Sequence, residues 1–270
     1  MTRVMGIVNR TPDSFYDGGR MDLKQAVAFA LDLVEQGADI LDLGAVKAGP
    51  GEHVSQDTEA ERLLPLVEAL AGAGVPLSVE TSRPEVARVA LELGASIVND
   101  VSGLAEPGLA EVCAEHGAEL VLMHHGGQIR GRPRHPRYDD VVAAVLAAWD
   151  ELAGRARAAG VPQDRLYFDP GLDFGKTTFH SLELVRRLPE LVENRRVLIA
   201  ASRKDVVGET LGLPPDERLE GSLALAALAA YHGVDVVRVH DVYQTVRTVR
   251  MVEAVLGRRP PVAPVRGLWD

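Results

Sequence analysis

The sequence predicts an α/β protein with a closed (β/α)8 barrel of the TIM type, on three observations. Short β-branched apolar runs alternate with amphipathic stretches, eight such runs occur along the chain, and polar residues gather where those runs end. Alternation of this kind implies a parallel sheet with right-handed crossovers, and runs that are apolar throughout suit strands covered on both faces. Eight units favour closure. A doubly wound open sheet is the competing architecture, but no Gly-x-Gly-x-x-Gly turn follows the first strand. With 270 residues, 46% of them hydrophobic, the chain can bury one large core, so 1–270 is read as a single domain.

The elements follow in order. A first strand at Met5 to Val8 leads through a polar loop to a helix from about Asp22. Asp22 is placed to cap that helix with Gln25 three residues on, Val27, Ala30, Leu31 and Val34 form its apolar face, and Gly37 ends it. Further strands are expected at Ile40 to Leu43, Leu77 to Val79, Ser96 to Val98, Leu120 to Met123, Leu166 to Phe168, Val197 to Ala200 and Val234 to Val239, each before a loop and a helical pattern. The tail from Arg258 to Asp270, with Pro260, Pro261 and Pro264, cannot extend a helix; it is expected on the surface, with Trp269 as its candidate anchor.

A formal net charge of -10 and a pI near 5.3 oppose nonspecific binding to nucleic acid or an anionic membrane. The basic run Arg130 to Arg137 lacks interleaved aromatics and reads as a solvated loop. The single cysteine, Cys113, excludes an intrachain disulfide and reads as a small buried apolar residue in a helix. No N-terminal leader pattern is present and no run approaches the ~18 apolar residues of a membrane span, so a soluble, cytoplasmic protein is expected.

Asn9, Asp42, Glu80, Asn99, Asp100, His124, Asp169, Ser202, Lys204, Arg238 and His240 all fall at or just after predicted strand ends. In a (β/α) barrel those ends converge on one mouth, so groups far apart in sequence would share a pocket. Local hydrogen bonding explains any one of them; it does not explain such groups on all eight strands. The pattern favours an enzyme over a scaffold.

The run Gly6-Ile7-Val8-Asn9-Arg10-Thr11-Pro12-Asp13-Ser14-Phe15-Tyr16-Asp17-Gly18-Gly19 resembles the first signature of the dihydropteroate synthases, N-x-T-P-D-S-F-x-D-G-G. Further matches follow at Val98 to Gly103, Leu122 to His124, Asp169 to Lys176, Ser202 to Lys204 and Arg238 to Asp241, so the resemblance spans most of the chain. It implies a folate step in which para-aminobenzoate displaces pyrophosphate from a dihydropterin-methyl pyrophosphate, with magnesium (Mg2+) on the leaving group, in a homodimer. By the same resemblance Asn99 and Asp169 pair with the donor and acceptor edge of the pterin, Lys204 reaches a ring carbonyl or nitrogen, and Glu80 contacts the ring. Phe174 lines the aminobenzoate pocket, Asn9 is the protein ligand of magnesium, and Arg238 and His240 grip the phosphates. Lys204, Arg238 and His240 then form the catalytic set: stabilising departing charge is the main demand, and no strong base is needed. The glycine-rich segment Asp169 to Lys176 lacks the spacing of a P-loop.

The chain departs from the family pattern in four places. The second loop, usually D-x-G-G-E-S-T-R-P-G, reads Asp42-Leu43-Gly44-Ala45-Val46-Lys47-Ala48-Gly49-Pro50-Gly51, so Ala48 and Gly49 replace a hydroxyl and a bidentate cation. Glu80 stands for the aspartate of S-I-D-T, Asp173 for the glycine of G-x-G-F, and Arg10 for an apolar or small residue; Arg10 and Lys47 are cations in the region of the lost arginine. These changes resemble a divergent second group of actinobacterial paralogues. Three readings follow: an active dihydropteroate synthase, a pterin-binding paralogue with little or no such activity, and an enzyme of a related phosphorylated substrate. Methyltransferases with a pterin-binding barrel are more remote, lacking the Ser-Arg-Lys motif and the N-terminal signature.

Overall fold

The computed structural model describes residues 1–10, 22–46, 54–127 and 136–266. Thr11 to Gly19 of the first signature, Lys47 to Gly51 of the second loop, most of the basic run and Trp269 lie outside the described residues.

β1 (Arg3–Asn9) is followed by α1 (Leu23–Glu35), β2 (Ile40–Gly44) by α2 (Gln56–Leu70), β3 (Leu77–Glu80) by α3 (Pro84–Glu92) and β4 (Ile97–Asp100) by α4 (Leu109–Glu115). β5 (Glu119–Met123) leads to α5 (Val141–Ala158), β6 (Leu166–Asp169) to α6 (Thr178–Arg186) and the short α7 (Leu188–Val192), β7 (Leu198–Ile199) to α8 (Asp205–Leu211) and α9 (Leu219–Tyr231), and β8 (Val236–Val239) to α10 (Val242–Val255). The strands pair in parallel in the order β6-β5-β4-β3-β2-β1-β8-β7. A bridge between Phe168 and Val197 brings the two ends together, so the sheet is a nearly closed (β/α)8 barrel, as the alternation predicts.

Two cores follow from the period-2 alternation of the strands. The larger lies between sheet and helices; a second gathers Met5, Ile40, Ile97, Val121, Tyr167, Leu198, Ala200 and Val236. Because strand side chains alternate faces, the residues two steps beyond Ile40, Ile97, Tyr167 and Val236 share their inward face. These are Asp42, Asn99, Asp169 and Arg238. Barrel interiors stack in layers of four side chains drawn from alternate strands. Here the even strands deliver an apolar layer and, above it, a polar one.

Helix α1 carries the expected capping box, with Asp22 and Gln25 bonding each other's backbone amides. Its buried residues are Ala26, Ala30 and Leu33, while Leu31, expected on the apolar face, is 42% exposed. The side-chain-free Gly6 lets Leu33 and Val242 pack within 3.1 and 3.0 Å of where a Cβ would stand, and this contact sets the rotation of α1. β8 begins at Val236 rather than Val234 because the Val234 N–H closes α9 on the Ala229 carbonyl and the Asp235 carboxylate accepts the Val197 N–H. Trp149 of α5 is fully buried against Phe168 and donates its indole N–H to the Asp169 carbonyl at 3.2 Å, which fixes the end of β6. Cys113 is buried, as expected, and burial pushes its thiol up to about 12. No helix among the described residues is long and apolar enough to cross a membrane.

Candidate active site at the barrel mouth

Asp42 is the hub of the polar layer. Fully buried, it accepts from Ser78 Oγ at 2.5 Å, Asn99 Nδ2 at 3.1 Å and Arg238 Nε at 2.6 Å. Three donors, one charged, offset the cost of placing a carboxylate out of water. Arg238 also donates from a terminal nitrogen to Glu80 at 2.6 Å, so its guanidinium is clamped between two carboxylates. Their charges hold Arg238 above its ordinary value although burial alone would lower it. Burial lifts Glu80 to about 7 against the opposing pull of Arg238. Strand register accounts for the neighbours, since Gly44 pairs with Glu80 and Glu80 with Asn99.

The second group centres on Asp169 and Lys204. Asp169 is buried, accepts the Gly171 N–H at 2.7 Å, and is raised by burial against the attraction of Lys204. Lys204 donates to the Leu172 carbonyl at 3.0 Å and lies 4.9 Å from the centre of the Phe174 ring. Burial lowers it while Asp169 and Asp173 hold it up. Asp169 Oδ2 and the Asn99 amide oxygen take no hydrogen bond among the described residues, which leaves an acceptor, an amide and an ammonium for a ligand edge.

His240, after β8, bonds Ser202 Oγ through Nδ1 at 3.1 Å. Burial and the Arg238 charge push it down to about 4, which favours a neutral imidazole at pH 7. Asn9, at the mouth end of β1, lies over Gly44, where a Cβ would meet Asn9 Oδ1 at 2.7 Å. The glycine therefore makes room for that amide oxygen. Among the described residues no group of three His, Cys, Asp or Glu side chains gathers to hold a metal. A magnesium ion here would take one protein oxygen, with phosphate and water supplying the rest, which suits its coordination habits. Arg10 donates to the Arg62 carbonyl at 2.8 Å.

Two supports have no legible signal in the sequence beyond their motifs. Lys176 is buried, and its Nζ donates to the carbonyls of His124, Gly171 and Phe174 at 3.0, 3.1 and 2.9 Å and lies 2.8 Å from His124 Nδ1, stapling the β5 and β6 loops. Burial lowers Lys176 to about 7 and His124 to about 3. Arg203 makes a bidentate pair with Asp241 at 2.8 and 2.7 Å, joining the loops that carry Lys204 and His240.

The family model described as "Pterin binding enzyme" matches residues 5–240. A protein from Mycobacterium leprae named "Inactive dihydropteroate synthase 2" is 50% identical, covering 98% of this chain and 94% of its own. Dihydropteroate synthase of Escherichia coli is 44% identical over 95% of this chain and 92% of its own. The Yersinia pestis dihydropteroate synthase, solved with a sulfonamide drug, superposes with a TM-score of 0.91 at 40% identity, covering 95% and 94% of the two chains. With that match over nearly its whole length, and with the polar mouth just described, the chain belongs to the dihydropteroate synthase family of pterin-binding enzymes.

Proposed function

We propose that this barrel binds a dihydropterin on Asn99, Asp169 and Lys204, and that its capacity for the synthase reaction is reduced. The observation that supports the binding half is the polar edge of that floor: Asn99 and Asp169 end neighbouring even strands of the barrel, each with an oxygen that takes no hydrogen bond among the described residues, and Lys204 follows β7 at the same end, so a ring with matching donors and acceptors could satisfy all three. A ligand lacking them leaves buried polar groups unpaired, which is the strong form of specificity.

In the full reaction the amine of para-aminobenzoate forms a C–N bond to the pterin methylene as the C–O bond to pyrophosphate breaks, and the amine's surplus proton passes to solvent or to the departing pyrophosphate. Lys204 and Asp169 would fix the ring, Phe174 would shield the arriving amine, and His240 with the remaining guanidinium N–H groups of Arg238 would receive the leaving oxygens. Magnesium, held by Asn9 and the phosphates, would neutralise part of the departing charge. The second loop is what weakens this step. Two carboxylates compensate Arg238, as the family pattern also places them, and Ala48 and Gly49 supply neither the hydroxyl nor the second cation of that pattern.

The alternative of a fully active synthase is favoured by the retained Asn9, Asp169, Lys204 and His240 and by 44% identity to the Escherichia coli enzyme. Incubating the chain with dihydropterin-methyl pyrophosphate, magnesium and para-aminobenzoate separates the two. Turnover at a typical ~10 per second would overturn the reduced-activity reading. Calorimetry with the pterin alone tests binding, with Asp169→Ala and Lys204→Ala expected to lose tenfold or more in affinity, about 1.4 kcal/mol or greater; unchanged affinity in either would overturn the pocket. A homodimer across α9 and α10, where Leu228, Tyr231, Tyr243, Met251 and Val255 are exposed, belongs to the same proposal, and sedimentation reads it.

A further inference from the structure

Asp173 stands where the family pattern has glycine, and its backbone keeps a glycine's conformation at φ 69°. A side chain in the left-handed region is retained only where its surroundings hold it there. Those surroundings are specific. Fully buried Ser181 of α6 accepts the Asp173 N–H at 3.1 Å and donates Oγ–H to Asp173 Oδ1 at 3.2 Å. The other carboxylate oxygen, Oδ2, accepts the Val206 N–H at 3.1 Å. Val206 lies in the first turn of α8, whose N-cap residue is Lys204, and a lysine makes no side-chain cap there. Asp173 therefore supplies from another loop the cap that Lys204 cannot.

The neighbours of Asp173 converge on the same lysine, with the Leu172 carbonyl accepting from Lys204 Nζ and the Phe174 ring lying beneath it. The charges that face Lys204 are Asp169 at the end of β6, Asp173 from the loop after it, Glu80 from β3 and Arg238 from β8. Lys176 and His240 also feel that lysine. With glycine at position 173, Asp169 would be the one carboxylate of β6 and its following loop whose charge acts on both Lys176 and Lys204.

We propose that Asp173 is a positioning residue of the pterin floor: it caps the helix whose N-cap is Lys204, fixing where the ammonium stands, and keeps its charge beside that lysine, between Leu172 and Phe174, which both meet the ammonium. The pterin arm of the test rests on the pterin-binding reading; the titration arm does not.

Two variants separate charge from geometry. Asp173→Asn keeps an acceptor for Val206 and tolerates the backbone angle, but removes the charge. Asp173→Gly frees the backbone and removes both. Lysine NMR on the full chain should show the Lys204 midpoint lowered by about one unit in both variants, the usual effect of removing a close opposite charge. Calorimetry with pterin at pH 7 should show affinity near wild type for Asp173→Asn and about fivefold weaker for Asp173→Gly, the size of a lost cap. A Lys204 midpoint unmoved in both variants overturns the charge role, and wild-type affinity in Asp173→Gly overturns the positioning role. If the wild-type chain binds no pterin, the functional reading fails, and the lysine titration still decides the role of Asp173.

Discussion

Glu80 differs from aspartate by one methylene and keeps the carboxylate charge. Its carboxylate reaches Arg238 at 2.6 Å, alongside Asp42, so above about pH 7, where Glu80 is ionised, two negative charges flank the only guanidinium of the polar layer. Removing one should free the cation. Glu80→Gln is expected to bind inorganic pyrophosphate about tenfold more tightly than wild type at pH 8, with the advantage shrinking below pH 7 as wild-type Glu80 takes up its proton. Equal affinities at pH 8 would show that Arg238 is not held back by Glu80. The position of Glu80 is legible in the sequence from its place at a strand end. Its partner is not, because Arg238 lies 158 residues away and only the pairing of β8 with β1 brings it to the mouth that β2 and β3 share. Asp42 was hidden for the same reason: its residue type and strand end are visible, but its three donors come from β3, β4 and β8.

At the scale of elements, the strands were legible and the helix faces less so. β-branched apolar runs locate all eight strands because a strand covered on both faces has no polar option, whereas α1 exposes Leu31 and buries Ala26, since its rotation is fixed by Gly6 on a neighbouring strand. Glycines in the loops divide in the same way, by what surrounds them. Gly171 (φ 65°) and Gly233 (φ 82°) both adopt left-handed backbone, but a Cβ on Gly171 would overlap the His124 carbonyl oxygen while one on Gly233 would meet nothing within 4 Å. Thermal or chemical denaturation should therefore show Gly233→Ala costing about 1 kcal/mol and Gly171→Ala more than about 3 kcal/mol. Equal losses would mean that backbone strain alone decides and that the β5 and β6 loops are not in contact.

Over the whole molecule, the buried imidazoles link the site to acid stability. His240 and His124 are lowered in the fold to about 4 and about 3 from 6.5. Lowered groups of this kind contribute stability that is present above pH 6.5 and lost as pH falls through the folded values. Glu80, raised from 4.5 to about 7, acts in the opposite sense: its contribution is present below pH 4.5 and lost as pH rises through 7. Comparing His240→Asn with wild type isolates one term. The stability of wild type relative to the variant should fall as pH drops from 6.5 to 4, and a constant difference across that window would place His240 in a solvated setting.

The joint between β6 and β7 is a single bridge, Phe168 opposite Val197, whereas β1 and β2 are paired over five residues. Asp169 stands on one side of that joint and Lys204 on the other. A ring bound to both would span the least-stitched seam of the barrel and act as a rung that the polypeptide omits. Amide hydrogen exchange gives this a measurable form: backbone amides at 166–169 and 197–200 should exchange soonest among the barrel strands in the empty protein. At pterin concentrations a hundred times the dissociation constant they should slow by about a hundredfold. On that account the ligand is a structural member of the barrel as much as its cargo, and a chain that turned over nothing would still be tightened by holding it.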